Sequence, residues 1–467
     1  MKRFFRFEER GTNLRTELSA GLTTFLTMAY IIFVNPGILS AAGVPFAGAA
    51  TATALGAAVM CLCMGLVTNR PLALASGMGL NAVVAFGVIG FHQANVPWQV
   101  GMAVIFLEGL VILILVLSGM REAVMNAIPM DLKRAIGVGI GLFITIIGLN
   151  EGGIIRPAPI TLVALGDLSQ TYVWVSLIGL FAILIFKALG TRSCILFGIL
   201  TATLAALLLG VTRLPSGIVG PLDFQTFFAP FQKIDGSWAL LRVFTPALLS
   251  LTFAIMLTDF FDTMGTVFAV GEQAGFVDRE GRVPGLKGIL TVDSVAAATG
   301  GLFGASSITT YVESAAGVAE GGRTGLTTVA VGVLFAVSAF FSPIIHMIGG
   351  GYAIPSSLHY SLFVSSGATL PAGDYHVYPI TAGALIVVGF FMMNIVRDIQ
   401  WPSFEESFPA FLIIVGIPLT YNISYGIGFG FISYTVIKTI SGKYRDVPPL
   451  LYGISAAFLL AFALPFL

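Results

Sequence analysis

The residues able to do chemistry in this sequence are carboxylates and an amide set in apolar surroundings. Asp259 and Asp262 stand in LTDFFDTMGT, Glu313 in TTYVESAAG, and Asn81 in GMGLNAVV. A charged carboxyl in hydrocarbon costs roughly 2.5 kcal/mol or more, so each such group needs a partner or a task. Asp259 and Asp262, three apart, share one helix face. Glu313 follows the β-branched, hydroxyl-rich run SSITTYV and opens the small-residue run ESAAGVA. That pattern reads as an extended segment turning into a helix, whose free N–H groups and dipole favour an anion. Asn81 supplies both a donor and an acceptor. Together these groups suit the ring N–H and carbonyl groups of a small uncharged ligand. A carboxyl caught between burial and a helix terminus is also able to exchange a proton. Glu313 is therefore the expected proton carrier, with Asp259 and Asp262 as further proton-coupling candidates. The blander alternative makes the aspartates and Asn81 partners for frayed backbone, and Glu313 a helix cap.

Phe260 and Tyr311 adjoin these acids and are candidate walls for a flat ring, with plain packing as the competing role. Ser76, Met78, Gly79 and Val312 border the same two places and complete the expected substrate-binding set. Glu108 and Asp293 lie mid-helix, away from any interruption, and are expected to brace helices. No metal site or cofactor is expected, a proton being the only coupling ion. His92, His346, His359 and His376 have no ligand partners at metal spacing, and Cys61, Cys63 and Cys194 read as small buried side chains. No nucleophile motif or phosphate-cradling loop appears, so the chain is not expected to be an enzyme. The Gly-Gly-Arg-Thr after Glu320 lacks the lysine and preceding strand of a phosphate loop, and Arg323 reads as a cytoplasmic anchor.

The elements that must position these residues are membrane helices. The chain has 467 residues, 57% hydrophobic and 10% charged, against about 25% charged in soluble domains. Zero net charge argues against a nucleic-acid partner. The charged start has no cleavable apolar region, so no removable signal peptide is expected. Apolar segments fall near 18–35, 47–68, 72–91, 98–118, 131–149, 171–188 and 194–212. After a more polar stretch, 213–243, a second set falls near 246–271, 285–304, 306–320, 325–348, 377–396, 404–420 and 424–440. These are segments 1 to 14. The final run, 448–467, either spans or lies along the interface, and 121–130 and 356–366 read as interfacial helices. The amino-terminal Lys and Arg residues place that end in the cytoplasm. Seven segments being odd, the second half enters from the opposite side, an inverted repeat. Segments 3 and 10 are the interrupted ones, at Pro71–Phe86 and Ser306–Gly325. Interrupted segments in corresponding places point to a transporter site between the repeats.

The sequence resembles the AzgA-like purine permeases, within the nucleobase transporter superfamily that includes the bacterial uracil permease. The resemblance lies in ELSAGLTTFLTMAYIIFVNP, GMGLNA, DFFDTMGT, TTYVESAAGVAEGGRTGLT, FPAFLIIVGIPLTY and FGFISYTVIK, and it covers nearly the whole chain. Ser76 departs from it, the family commonly having proline there. The resemblance implies an all-α polytopic membrane protein of two inverted seven-segment repeats, with short strands in segments 3 and 10. It implies a core of 1–120 (segments 1–4) and 244–350 (segments 8–11). The gate would be 121–243 (segments 5–7 and the outer loop) and 351–467 (segments 12–14 and the apolar end). It further implies proton-symport uptake of a purine nucleobase, hypoxanthine or guanine, by a homodimer in the cell (inner) membrane. Asn81, Asp259 and Glu313 match purine-binding positions of that family, and Asp262 one important for function. An anion transporter of the same fold and an adenine- or xanthine-preferring permease are the alternatives.

Overall fold

The computed structural model describes residues 2–89, 96–119, 128–158, 161–215, 217–276, 283–354 and 376–463. The stretches 121–127 and 356–366, read above as interfacial helices, lie outside the described residues. Helices form where the sequence is continuously apolar and stop at glycine, proline or polar clusters. Segment 1 is Leu14–Met28 and Ile31–Ala41, with Asn13 capping its start by accepting from the Thr16 N–H. Its interruption at Ala29–Tyr30 leaves no mark in the apolar pattern. Segment 2 is Phe46–Thr68, segment 4 Trp98–Ser118, segment 5 Met130–Glu151, segment 6 Thr171–Ala188 and segment 7 Cys194–Leu208. Segment 8 is Pro246–Gln273 and segment 9 Leu286–Phe303. Segment 11 is Gly325–Ser338 joined through a tight turn to Ser342–Gly349. Segments 12 to 14 are Pro379–Met392, Phe404–Thr420 and Ile423–Ile440. Among the described residues nine helices are long and apolar enough to cross a membrane, and the protein is a multi-pass membrane protein.

Segment 4 packs on segments 8 and 9, segment 2 on 9 and 11, and segment 1 on 10 and 11. Segment 5 packs on 12 and 13, segment 6 on 7 and 12, and segment 13 on 14. Close helix contact in a membrane needs small residues, because lipid gives no hydrophobic drive between helices. Gly65 and Gly325 meet this way: a Cβ on either would overlap the other's carbonyl oxygen. The final apolar run begins as a helix, Pro449–Ala463, packed on segments 8 and 14, where Ser455 donates to the Phe431 carbonyl at 3.1 Å.

Polar contacts close the two ends of the bundle. At one end Arg10 donates to the carbonyls of Asn69 and Arg323 at 2.6 and 2.8 Å, and Arg192 pairs with Glu320. There the buried Glu17 accepts from the Arg323 and Thr324 N–H groups at 2.9 and 3.3 Å. It also accepts from the Thr324 and Thr327 hydroxyls at 2.8 and 2.6 Å and the Thr327 N–H at 3.2 Å. Across the other end lies the polar stretch 213–243. Its Phe228 N–H donates to Leu302 O at 2.6 Å and its Thr226 hydroxyl to Phe303 O at 2.9 Å.

Candidate functional site

Segments 3 and 10 both break into a short strand and a short helix. Strand β1, Leu74–Ser76, pairs antiparallel with β2, Ile308–Thr310, in the register Leu74–Thr310, Ala75–Thr309, Ser76–Ile308. Backbone bonds from Gly77 N–H to Ser307 O and from Tyr311 N–H to Ala73 O, both 2.9 Å, lengthen the ladder. Pro71, Gly77 and the β-branched Ile308–Thr310 run account for extended chain here. Irregular backbone at this depth is stable only when buried in protein with its polar groups met, and all six strand residues are buried. Cys61 contributes to that: its Sγ accepts from the Leu74 N–H and its thiol donates to the Leu74 carbonyl, both 3.1 Å. The sequence had suggested no more than a small buried side chain there. Helices follow each strand, Met78–Ala82 continuing as a wider turn through Ile89, and Ser314–Ala319.

Segment 8 crosses the strand pair and holds it with acids and hydroxyls. Asp259 is buried, and its Oδ2 accepts from the Ser307 hydroxyl at 2.9 Å. One turn on, the Thr263 hydroxyl donates to Asp293 Oδ2 at 2.7 Å and lies 2.9 Å from the Thr309 hydroxyl. Asp293 Oδ1 accepts the Thr310 N–H at 3.1 Å. Asp293 thus braces β2 from segment 9, as expected of it. Asp262, three residues after Asp259, is crowded by protein yet reachable by solvent, as a group lining a crevice is. Val312, 55% exposed, and the half-buried Glu313 open on accessible space too. Asp262 lies within electrostatic reach of Asp259, Glu313, Tyr30 and Tyr311.

Glu313 stands at the N-cap position of Ser314–Ala319, as the sequence suggested, but its side chain makes no capping bond. It instead accepts from the Tyr30 hydroxyl at 2.7 Å. The Ser314 hydroxyl accepts from the Ala73 N–H at 2.9 Å, and Tyr311 donates to the Ser76 carbonyl at 2.5 Å. Tyr311 therefore ties the two strands together. Phe260 and Met78 are buried, and Gly79 faces segments 5 and 12, its missing Cβ falling 3.1 Å from Ile140 Cγ2 and 3.9 Å from Met392 Cε.

Several polar atoms here are buried without a hydrogen-bond partner among the described residues: both ends of the Asn81 amide and the Ser76, Ser306 and Thr310 hydroxyls. Unmet buried polar groups carry a desolvation penalty of about 1–3 kcal/mol each, and a ligand that meets them removes it. The structure brings Asp259, Asp262, Glu313, Tyr311, Val312 and Ser76 to the strand pair, with Asn81 and Gly79 on the helix that follows β1. Sequence reasoning missed Tyr30, Ser307, Thr263 and Thr309. Tyr30 lies within the run ELSAGLTTFLTMAYIIFVNP, but nothing there marks it as polar machinery, whereas the Ser and Thr residues lie in or beside the interrupted stretches and the DFFDTMGT run.

The membrane-crossing helices and the paired broken segments together define a multi-pass membrane transporter. The chain belongs to the xanthine/uracil permease family, whose model, described as Permease family, matches residues 15–363. It is 37% identical over 461 residues to the guanine/hypoxanthine permease PbuO of Bacillus subtilis, covering 97% of this chain and 98% of that one. It is 38% identical over 460 residues to the adenine permease AdeP of Escherichia coli, covering 98% and 95%. Among solved structures it is similar to the transmembrane domain of a cyanobacterium bicarbonate transporter BicA, with TM-score 0.59 and 15% identity, covering 88% of this chain and 97% of that chain. That last likeness shows the fold alone. The protein is a permease and not an enzyme.

Proposed function

We propose that this permease imports purine nucleobases, hypoxanthine or guanine, together with a proton, by movement of core segments 1–4 and 8–11 against gate segments 5–7 and 12–14. The convergence of acceptors and unmet polar groups at the strand pair carries this reading. Glu313 and Asp259 accept ring N–H groups, while Asn81 and nearby backbone N–H groups read carbonyl and ring nitrogen. The names of relatives support a nucleobase and do not rank the bases, since guanine/hypoxanthine and adenine permeases are equally similar at 37–38% identity. The acids at the site argue against an anion as substrate, because Asp259, Asp262 and Glu313 would repel it.

Several carboxyls gathered in a low dielectric hold a proton more readily than one alone. Proton and nucleobase then neutralise the site together, and the loaded core crosses its barrier. The end of the bundle that carries Arg10, Arg192 and Arg323 faces the cytoplasm of a cell (inner) membrane in this reading, and a homodimer forms through the gate. The experiment is uptake of labelled hypoxanthine by proteoliposomes with and without a pH gradient, with guanine, adenine, xanthine, sulfate and bicarbonate as competitors. Accumulation driven by the gradient and blocked by guanine is expected. Uptake blocked by sulfate or bicarbonate and not by purines would show an anion transporter instead.

A further inference from the structure

We propose that Glu108 and Asp259 form one carboxyl pair that holds a single proton, and that this pair carries the proton moved with the nucleobase. The proposal rests on the proton-symport reading above and names the group that does it. Segment 4 is the most apolar of the nine membrane-crossing helices, yet it carries Glu108 with 0% of its surface exposed. Neither carboxyl oxygen of Glu108 makes a hydrogen bond among the described residues. A charge in that place, with neither donor nor counterion among the described residues, is costly, so the group is neutral or shares its charge.

Backbone packing fixes what faces it. A Cβ at Gly109 would overlap the backbone of Ala297 and Ala298, and one at Gly301 would overlap Met102 and Phe106. Segments 4 and 9 therefore touch main chain to main chain beside Glu108, one turn from Asp293. Segment 8 packs on segment 4 as well. The charged groups within reach of Glu108 are Asp259 from segment 8 and Asp293 from segment 9, both acids. Asp293 is fixed by Thr263, Thr309 and the Thr310 N–H. Asp259 stands between Glu108 and the strand pair, with Ser307 on its Oδ2.

Two carboxyls this close do not both ionise readily, and they titrate as a unit. With the proton on Glu108, its O–H donates to Asp259, and Asp259 remains an acceptor for a ring N–H. Without it the pair carries two charges, and both nucleobase binding and movement through the low dielectric are penalised. Proton and nucleobase thus strengthen each other's binding, by equal factors. Glu313, which receives the Tyr30 hydroxyl, keeps its role as a ligand acceptor.

The test uses the purified full chain and hypoxanthine as probe. Wild-type affinity is expected to fall as pH rises through the pair's titration, and a pH gradient is expected to drive accumulation. Glu108→Gln should flatten the pH profile of affinity and lose gradient-driven accumulation, and Glu108→Asp should restore the slope. Should Glu108→Gln not fold, Glu108→Asp still reports, because it must move the pH profile and displace the infrared band of a protonated carboxyl in a dry site. A Glu108→Gln protein with the wild-type pH profile and accumulation overturns the pair, as does a Glu108→Asp protein with neither change. Wild-type protein that binds and exchanges hypoxanthine but ignores the pH gradient overturns proton symport itself, a separate outcome.

Discussion

The Tyr30 hydroxyl donates to Glu313 Oε1 at 2.7 Å, joining residues 283 positions apart. Tyr30 lies at the interruption of segment 1, and Glu17 near the start of the same segment binds the turn after Ser314–Ala319. Segment 1 therefore holds both ends of a helix of six residues, far below the ~12–15 at which an isolated helix becomes marginal in water. Between those ends a Cβ on Gly317 would overlap Thr24 and Ala20, so the two helices lie nearly backbone to backbone. The placement of Glu313 is a property of segment 1 as much as of its own neighbours.

Tyr30→Phe keeps the ring and removes the hydrogen bond. A bond to a charged group contributes about 1.5–3 kcal/mol, so hypoxanthine Kd should rise roughly ten- to hundredfold. Titration calorimetry on detergent-purified protein reads this directly. An unchanged Kd would mean that Glu313 is oriented by its own helix.

Glu17→Ala leaves three N–H groups, two of them buried, and two hydroxyls of the Arg323–Thr327 turn without their acceptor. The expected cost is at least about 3 kcal/mol, from the penalty of unmet buried donors. Thermal unfolding in detergent should show a clear drop in Tm. Saturating hypoxanthine should recover part of that drop, since the ligand binds only the ordered site.

The two broken segments were legible because strand-forming and helix-forming residues change over within a few positions, at Gly77 and at Glu313. The apolar runs gave the helices for the same reason, length and composition being what a bilayer demands. The break at Ala29–Tyr30 was not legible, since MAYIIFV has no glycine, proline or charged residue to mark it, and the partner of Tyr30 lies far along the chain in segment 10. Asp293 and Glu108 looked alike in sequence, both mid-helix acids. Only the fold shows that Asp293 meets hydroxyls and an N–H on β2, while Glu108 meets other acids.

Asp293→Asn and Asp259→Asn should separate bracing from binding. At 293 an amide keeps one acceptor for the Thr310 N–H, and its NH2 donates to Thr263 once the Thr263–Thr309 hydroxyl pair reverses direction. That variant should lose about 1–2 kcal/mol of stability, from weaker hydrogen bonds, and still bind hypoxanthine. At 259 the amide replaces one oxygen of the proposed ligand acceptor by a donor, and binding should vanish while the fold survives. Radioligand binding beside thermal unfolding measures both, and equal loss of binding in the two variants would contradict the division.

Gly79→Val tests the boundary between the core and gate segments of the proposed transport cycle. The glycine sits on the helix after β1, against Ile140 of segment 5 and Met392 of segment 12. Even a single Cβ there would come within 3.1 Å of Ile140 Cγ2, closer than carbon atoms normally approach. Two further methyl groups must displace Ile140 or Met392 and press the segment 3 helix away from the gate. Overpacking of this kind costs about 1–3 kcal/mol, and in a transporter the cost falls unequally on the states between which it moves. The expected result is a lower maximal rate of hypoxanthine exchange, with KM changing less than the rate, because the substituted face is turned toward the gate helices. Exchange kinetics in proteoliposomes give both numbers. A KM that rises as steeply as the rate falls would place the Gly79 face in the ligand's own contact instead.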